Sequence, residues 1–199
     1  MGIFDLGDVR HPDYPIDPIF RDRWSPRAMS GDPVERSELM LLFEAARWAP
    51  SSYNNQPWRF VYALRDSVGW ERLFGLLVEF NQSWASGAGA LVLIASKQTF
   101  DNGKAAVTHA LDAGAAWENF ALQGSLNGLV VHGMEGFDYQ RARTELGVPD
   151  DHDVLAMAAI GRPGRVEELP EPLREREVPS DRKPVSEWAF ESRFGGPTR

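Results

Sequence analysis

Cysteine is absent from the chain, which removes disulfides, thiolate metal sites and cysteine nucleophiles together while leaving the redox compartment open. Basic side chains are in deficit. Lys and Arg number 21 against 29 Asp and Glu, for a net charge of −8, a balance that disfavours wrapping of nucleic acid or an anionic membrane but permits a locally basic pocket. Long apolar runs are missing as well. The stretch 87–95 falls far short of the roughly 20 residues a membrane helix needs. The opening MGIFDLGDVR, broken by Asp5 and Asp8, has no basic segment of the kind that begins a secretory signal. A cytoplasmic protein with no nucleic acid and no membrane among its partners is expected.

Motifs are missing in the same way. No G-x-G-x-x-G follows a strand and no G-x-x-x-x-G-K-S/T occurs, so neither a dinucleotide fingerprint nor a P-loop is supported. His11, His109, His132 and His152 lack any paired spacing, which argues against a metal centre. Ser51 and Ser52 sit in no G-x-S-x-G elbow. His109 suits a hydrogen-bonded core or surface histidine better than a pocket residue. No side chain stands out as a general acid or base, and chemistry carried by a bound cofactor remains.

What is present is one domain's worth of chain. At 199 residues and 43% hydrophobic content, a single core can bury about 70% of the unfolded surface without staples. Residues 1–22, with Pro12, Pro15 and Pro18, suit an extended arm. Asp32-Pro33-Val34-Glu35 predicts a helix start, with Leu39, Leu42, Phe43 and Ala46 as its stripe and Pro50 as its end. Strands are expected at 58–64, 89–96, 129–133 and 153–161, with the second and the last buried on both faces. Helices are expected at 68–80, 105–126 and 138–146. The alternation makes the class α/β or α+β. From Arg165 onward charges and prolines dominate; such a segment must lie on something, with Trp188, Phe190 and Phe194 as its anchors.

Two stretches carry chemistry. In R-W-S-P-R (23–27), Arg23, Ser25 and Arg27 alternate, and Pro26 favours an extended Ser25, which puts all three on one face. This is either a phosphate cradle or a solvated basic loop. The loop APSSYNNQPWRF (49–60) is dense in rigid and hydrogen-bonding residues and suits either a planar polar ligand or a capped turn.

At these residues the chain resembles the FMN-dependent nitroreductase family. The resemblance runs, in the family's order, through R-W-S-P-R at 23–27, A-P-S-S-Y-N-N-Q-P-W at 49–58 and F-N-Q-S-W-A at 80–85. It continues through D-A-G-A-A-W-E-N-F-A-L-Q at 112–123, G-M-E-G-F-D at 133–138, A-I-G-R-P at 159–163 and R-K-P-V-S-E-W at 182–188. It implies an α+β fold, a nitroreductase-like α-β-α sandwich whose mostly antiparallel central sheet is flanked by helices. It further implies a homodimer with FMN at the subunit interface and extended terminal arms. The division is an N-terminal arm (1–22), an FMN-binding domain (23–164) and a C-terminal arm (165–199) that completes the phosphate site and packs on the partner.

By the same resemblance, Arg23 and Ser25 hold the FMN phosphate and Arg27 approaches the pyrimidine side. Pro50, Ser51, Ser52 and Asn54 look like the loop that reaches the flavin from the partner subunit, and Asn81 matches a residue on the pyrimidine edge. Met134, Glu135 and Gly136 match the loop beside flavin N5, and Arg182, with Lys183, resembles the C-terminal cation of the phosphate site. Without the resemblance, Asn81 reads equally as a helix cap, Gly136 as a turn glycine and Arg182 as part of a charge run. The implied activity is an NAD(P)H-dependent oxidoreductase. NAD(P)H is its transient hydride donor, and a small electron acceptor such as a nitroaromatic or quinone receives the hydride through flavin N5. No catalytic side chain is required. A flavin storage or interaction protein, and a reductive dehalogenase or flavin-consuming enzyme of the same fold, are the alternatives. Trp84 stands where some relatives carry a lysine, Trp24 replaces a more polar neighbour, Gly133 replaces a proline, and the short 99–104 stretch leaves little room for a lid.

Overall fold

The computed structural model describes residues 4–197; the outermost parts of the two expected arms, 1–3 and 198–199, lie outside the described residues. Four strands form one antiparallel sheet in the order β1-β2-β4-β3: β1 (Trp58–Leu64), β2 (Ala90–Lys97), β3 (Val130–Met134) and β4 (His152–Gly161). The helices are α1 (Pro18–Asp22), α2 (Arg36–Arg47), α3 (Trp70–Phe74), α4 (Glu79–Ala85), α5 (His109–Leu126), α6 (Tyr139–Glu145) and α7 (Glu171–Arg174).

The alternation of side chains along β2 explains the layering. Leu91 and Leu93 join Met157 and Ala159 of β4 in a core shared with Leu73, Trp84 and Ala142. Val92 and Ile94 join Ala158 and Ile160 in a second core, shared with Leu39 and Leu42 of α2 and Phe120 of α5. Successive strand residues point to opposite faces, so a continuous apolar run must be covered twice. The result is an α-β-α sandwich, with α2 and α5 on one face and α3, α4 and α6 on the other.

Several expected boundaries shift for identifiable reasons. The α2 cap is Glu35 paired with Glu38 in a capping box, one turn later than the aspartate-proline pair suggests. The segment 18–22 is a short helix capped by Asp17 with Pro18 at its first position, where an extended arm was expected. The single helix expected over 68–80 is broken into α3 and α4. Its middle is drawn into a bridge between Leu77 and Phe137, with Val78 N donating to Gly136 O at 3.1 Å and Asp138 N to Leu76 O at 2.8 Å. α5 starts at His109 rather than 105, because Thr99 and Ala105 bridge around Gly103 at φ +78°. The Asp138 cap on α6 forms as expected, accepting from Arg141 N at 2.9 Å.

In the C-terminal segment, the apolar residues that bury within the protomer are Leu169 and Leu173, each worth about 1.5–3 kcal/mol. The aromatics that the sequence singles out as anchors include Trp188 at 62% and Phe194 at 95% exposure. Among the described residues no helix is long and apolar enough to cross a membrane.

Candidate functional site

The segment 23–27 leaves α1 in an extended conformation, and its alternation works as the sequence predicts: Arg23 Nη1 donates to Ser25 Oγ at 3.1 Å. Trp24 packs edge-on against Phe4, ring centroids 5.5 Å apart. The segment is tied to β3 by His132, whose Nδ1 lies 2.9 Å from Pro26 O, and to the C-terminal segment by Glu177, whose Oε1 accepts from Arg27 N at 2.5 Å.

Arg23, Ser25 and Arg27 line one cavity of about 290 Å³ with Arg182, and Arg10 and Arg176 join them. Arg10 threads between the two termini: its Nη1 donates to Arg21 O and Arg23 O at 2.7 and 2.9 Å, and its Nε to Ser180 O at 2.9 Å. Burial lowers the Arg10 pKa, and Arg182 and Arg23 lower it further. Burial likewise lowers that of Arg23, opposed by Glu118 and reinforced by Arg182. These guanidiniums repel one another in a partly dry site, the condition that an anion relieves. Arg27 Nε and Trp24 Nε1 are buried with no hydrogen-bond acceptor. Nothing in the sequence marked Arg10, a lone arginine before a proline-rich stretch, or Arg176 and Glu177, which sit inside a charge run.

A second group gathers at the far end of β3. Asn81 Nδ2 donates to Gly136 O at 2.9 Å, and Asn81 Oδ1 accepts from Trp84 Nε1 at 3.3 Å. A side chain at Gly136 would displace the Asn81 amide, since a Cβ would lie 2.7 Å from Asn81 Nδ2. Met134 and Glu135 line an apolar cavity of about 370 Å³ with Gly133, Trp117 and Leu155. Gly133 is explained by packing: a Cβ would sit 3.1 Å from Trp117 Cζ2. Trp84 is buried in the core beside His132, ring centroids 4.5 Å apart. Burial lowers the His132 pKa, and Arg27 adds to the effect against the pull of its backbone hydrogen bonds. Strand β3 thus connects both groups, through His132 at one point and Met134 at its end.

The third predicted group stands apart. Pro50, Ser51, Ser52 and Asn54 form a turn at the end of α2 that lines neither cavity. Ser52 N donates to Asp112 Oδ2 at 3.1 Å and Gln56 N to Ser51 Oγ at 3.0 Å. Tyr53, Asn54 and Gln56 all adopt positive φ, at 51°, 54° and 48°, a conformation costing of order 1–3 kcal/mol per residue and concentrated at functional sites. Lys183 is also absent from the arginine cavity; its Nζ lies 4.0 Å from Glu187. His109 is a tied histidine, with Ser96 Oγ at 3.2 Å and Asp153 Oδ2 at 3.6 Å.

The model of the nitroreductase family matches residues 20–77 and 69–162. A Thermus thermophilus NADH dehydrogenase is 31% identical over 170 residues, covering 71% of this chain and 83% of its own. A Mycolicibacterium smegmatis protein, known only as an uncharacterized 15.4 kDa protein in the ask 5′ region, is 36% identical over 126 residues, 63% of this chain and 84% of its own. A solved structure described as an oxidoreductase containing FMN superposes with a TM-score of 0.90 at 46% identity, covering 94% of this chain and 96% of that one.

Proposed function

The chain belongs to the nitroreductase family, and from that premise we propose that this oxidoreductase holds FMN, accepts hydride from NAD(P)H and passes it to a small electron acceptor such as a nitroaromatic or quinone. The observation that carries the reading is the cavity lined by Arg10, Arg23, Arg27, Arg176 and Arg182. Arg23 lines the cavity and spends one N–H on Ser25, so its guanidinium, with five donors in all, has donors left for a ligand. A phosphate dianion fits such a site, because its oxygens satisfy several of these donors at once and offset the repulsion among the arginines.

In this reading Arg23, Ser25 and Arg182 bind the phosphate, and Arg27 faces the pyrimidine side. Asn81, already held by Gly136 and Trp84, meets the pyrimidine edge with the remaining N–H of its amide. Met134, Glu135 and Gly136 border the ring, and the Gly136 peptide is clamped by two donors, Val78 N and Asn81 Nδ2. Bound FMN supplies hydride acceptance and donation at N5. The protein supplies orientation and fixed dipoles, which cost no reorganisation during the reaction.

The strained turn at 50–54 and the exposed Trp188 and Phe194 support a homodimer in which each turn reaches the partner's flavin, and we place this dimer in the cytoplasm. Residues 23–164 would form the flavin-binding domain, and 1–22 and 165–199 its arms, with Lys183 joining the phosphate site in the assembled dimer. The test is spectroscopic. The purified protein is yellow, bleaches with NADH or NADPH without air, and recolours with menadione. Oxidised colour that persists with both nicotinamides overturns the reductase in favour of flavin storage, and a colourless protein that takes up no FMN overturns the flavin reading itself.

A further inference from the structure

Glu177 follows α7 in the C-terminal segment, and its side chain is 1% exposed. Oε1 accepts from two successive backbone amides, Arg27 N at 2.5 Å and Ala28 N at 2.8 Å. Oε2 accepts no hydrogen bond and lies 3.6 Å from Arg27 Nη1. A carboxylate this deep persists only where donors and a counter-charge compensate it. Here the compensation comes from Arg27 and Ala28, at the end of the segment that lines the arginine cavity.

The five cavity arginines are not equivalent. Among the described residues Arg27 alone of the five has a carboxylate at ion-pair distance. Arg10 spends its donors on backbone carbonyls, and Arg182 on Ser180 and the Asp181 carbonyl. The carboxylate therefore does two things that an exposed salt bridge does not. It fixes where the Arg27 backbone sits by gripping its amide, and it offsets the Arg27 charge from beneath in a site where little water screens the pair.

We propose that Glu177 is a positioning residue: it anchors Arg27 from the C-terminal segment and moderates the positive charge that Arg27 presents to the cavity. The electrostatic half rests on the flavin reading above, because the charge it moderates is felt by the pyrimidine side of the ring. A fully charged, uncompensated guanidinium there would favour the reduced, more negative form. With Glu177 in place that preference is smaller.

Glu177→Gln keeps the shape and an acceptor for the two amides but removes the charge. In the flavin-loaded protein we expect the ratio of reduced-form to oxidised-form affinity to rise about tenfold, a shift of about 30 mV in the two-electron potential, read by dye-coupled redox titration. Glu175→Gln, an exposed neighbour, should leave the potential where it is. A Glu177→Gln potential equal to that of the unaltered protein overturns the electrostatic half. The anchoring half is read without flavin, by amide hydrogen exchange of the apoprotein. The Arg27 and Ala28 amides should exchange at least tenfold faster in Glu177→Ala and keep their protection in Glu177→Gln. Unchanged exchange in Glu177→Ala overturns the anchor, and loss of protection in Glu177→Gln overturns the claim that geometry and charge are separable. Failure of the unaltered protein to take up FMN would sink the flavin reading and with it the electrostatic half, while the exchange measurement would still decide the anchor.

Discussion

Replacing Arg23 by alanine tests the cavity as a phosphate site, because its two consequences carry opposite signs. Arg23 is partly buried, has no ion pair among the described residues, and is attracted by Glu118 and repelled by Arg182, with burial the dominant influence and against the charge. It keeps one hydrogen bond, to Ser25 Oγ. Truncation should therefore leave the flavin-free protein as stable as before or more so, since a desolvated charge and a like-charge neighbour are relieved together. Binding should move the other way. A charge-assisted contact contributes about 1.5–3 kcal/mol, and tenfold in Kd corresponds to about 1.4 kcal/mol, so FMN affinity should fall by about ten- to 150-fold. The same energy must vanish from the stabilisation that excess FMN confers, because that increment grows as the logarithm of ligand concentration over Kd. Fluorescence titration gives the Kd, and melts with and without FMN give both stabilities. A Kd within threefold of the parent would refute the assignment of Arg23 to the phosphate, and a flavin-free protein destabilised by more than about 1 kcal/mol would refute the argument that burying its charge costs stability.

Two further measurements test how the site is built. At Gly87 a Cβ would lie 2.5 Å from Met29 O, a backbone atom that cannot swing aside, so Gly87→Ala should cost about 1–3 kcal/mol of stability, the range for overpacking, seen as a lower urea midpoint at unchanged m-value. His132 titrates below its ordinary range, near 6.5, chiefly because it is buried. The unfolded chain then binds the proton first as pH falls, so the contribution of His132 is intact above about 6.5 and declines below it. His132→Gln should flatten the pH dependence of unfolding below about 6.5, and an unaltered pH profile would refute this assignment.

The layered fold was legible because its signals are local. The apolar run at β2, the stop of α5, the cap and stop of α6, and the period of α2 are read within a few residues of where they act. The break between α3 and α4 was not, because nothing within 68–80 reveals that the backbone of 76–78 pairs with that of 136–138. For the site, alternation in 23–27 predicted the shared face of Arg23 and Ser25, and the family resemblance pointed to Asn81 and Gly136 before any contact between them was known. Glu177, Arg10 and Arg176 gave no such sign. Charged residues in a charged run look alike until one of them is buried.

Sequence alone determined where the four strands and the two long helices α2 and α5 lie, that β2 must be covered on both faces, and that basic residues concentrate at 23–27 in an acidic chain. Tertiary structure alone decided which charges share a cavity and which are compensated there, as Glu177 compensates Arg27 across about 150 residues of chain. The reason is physical: backbone preference and apolar periodicity act over one or two turns, whereas burial and Coulomb interaction depend on distances that exist only once the chain has closed on itself.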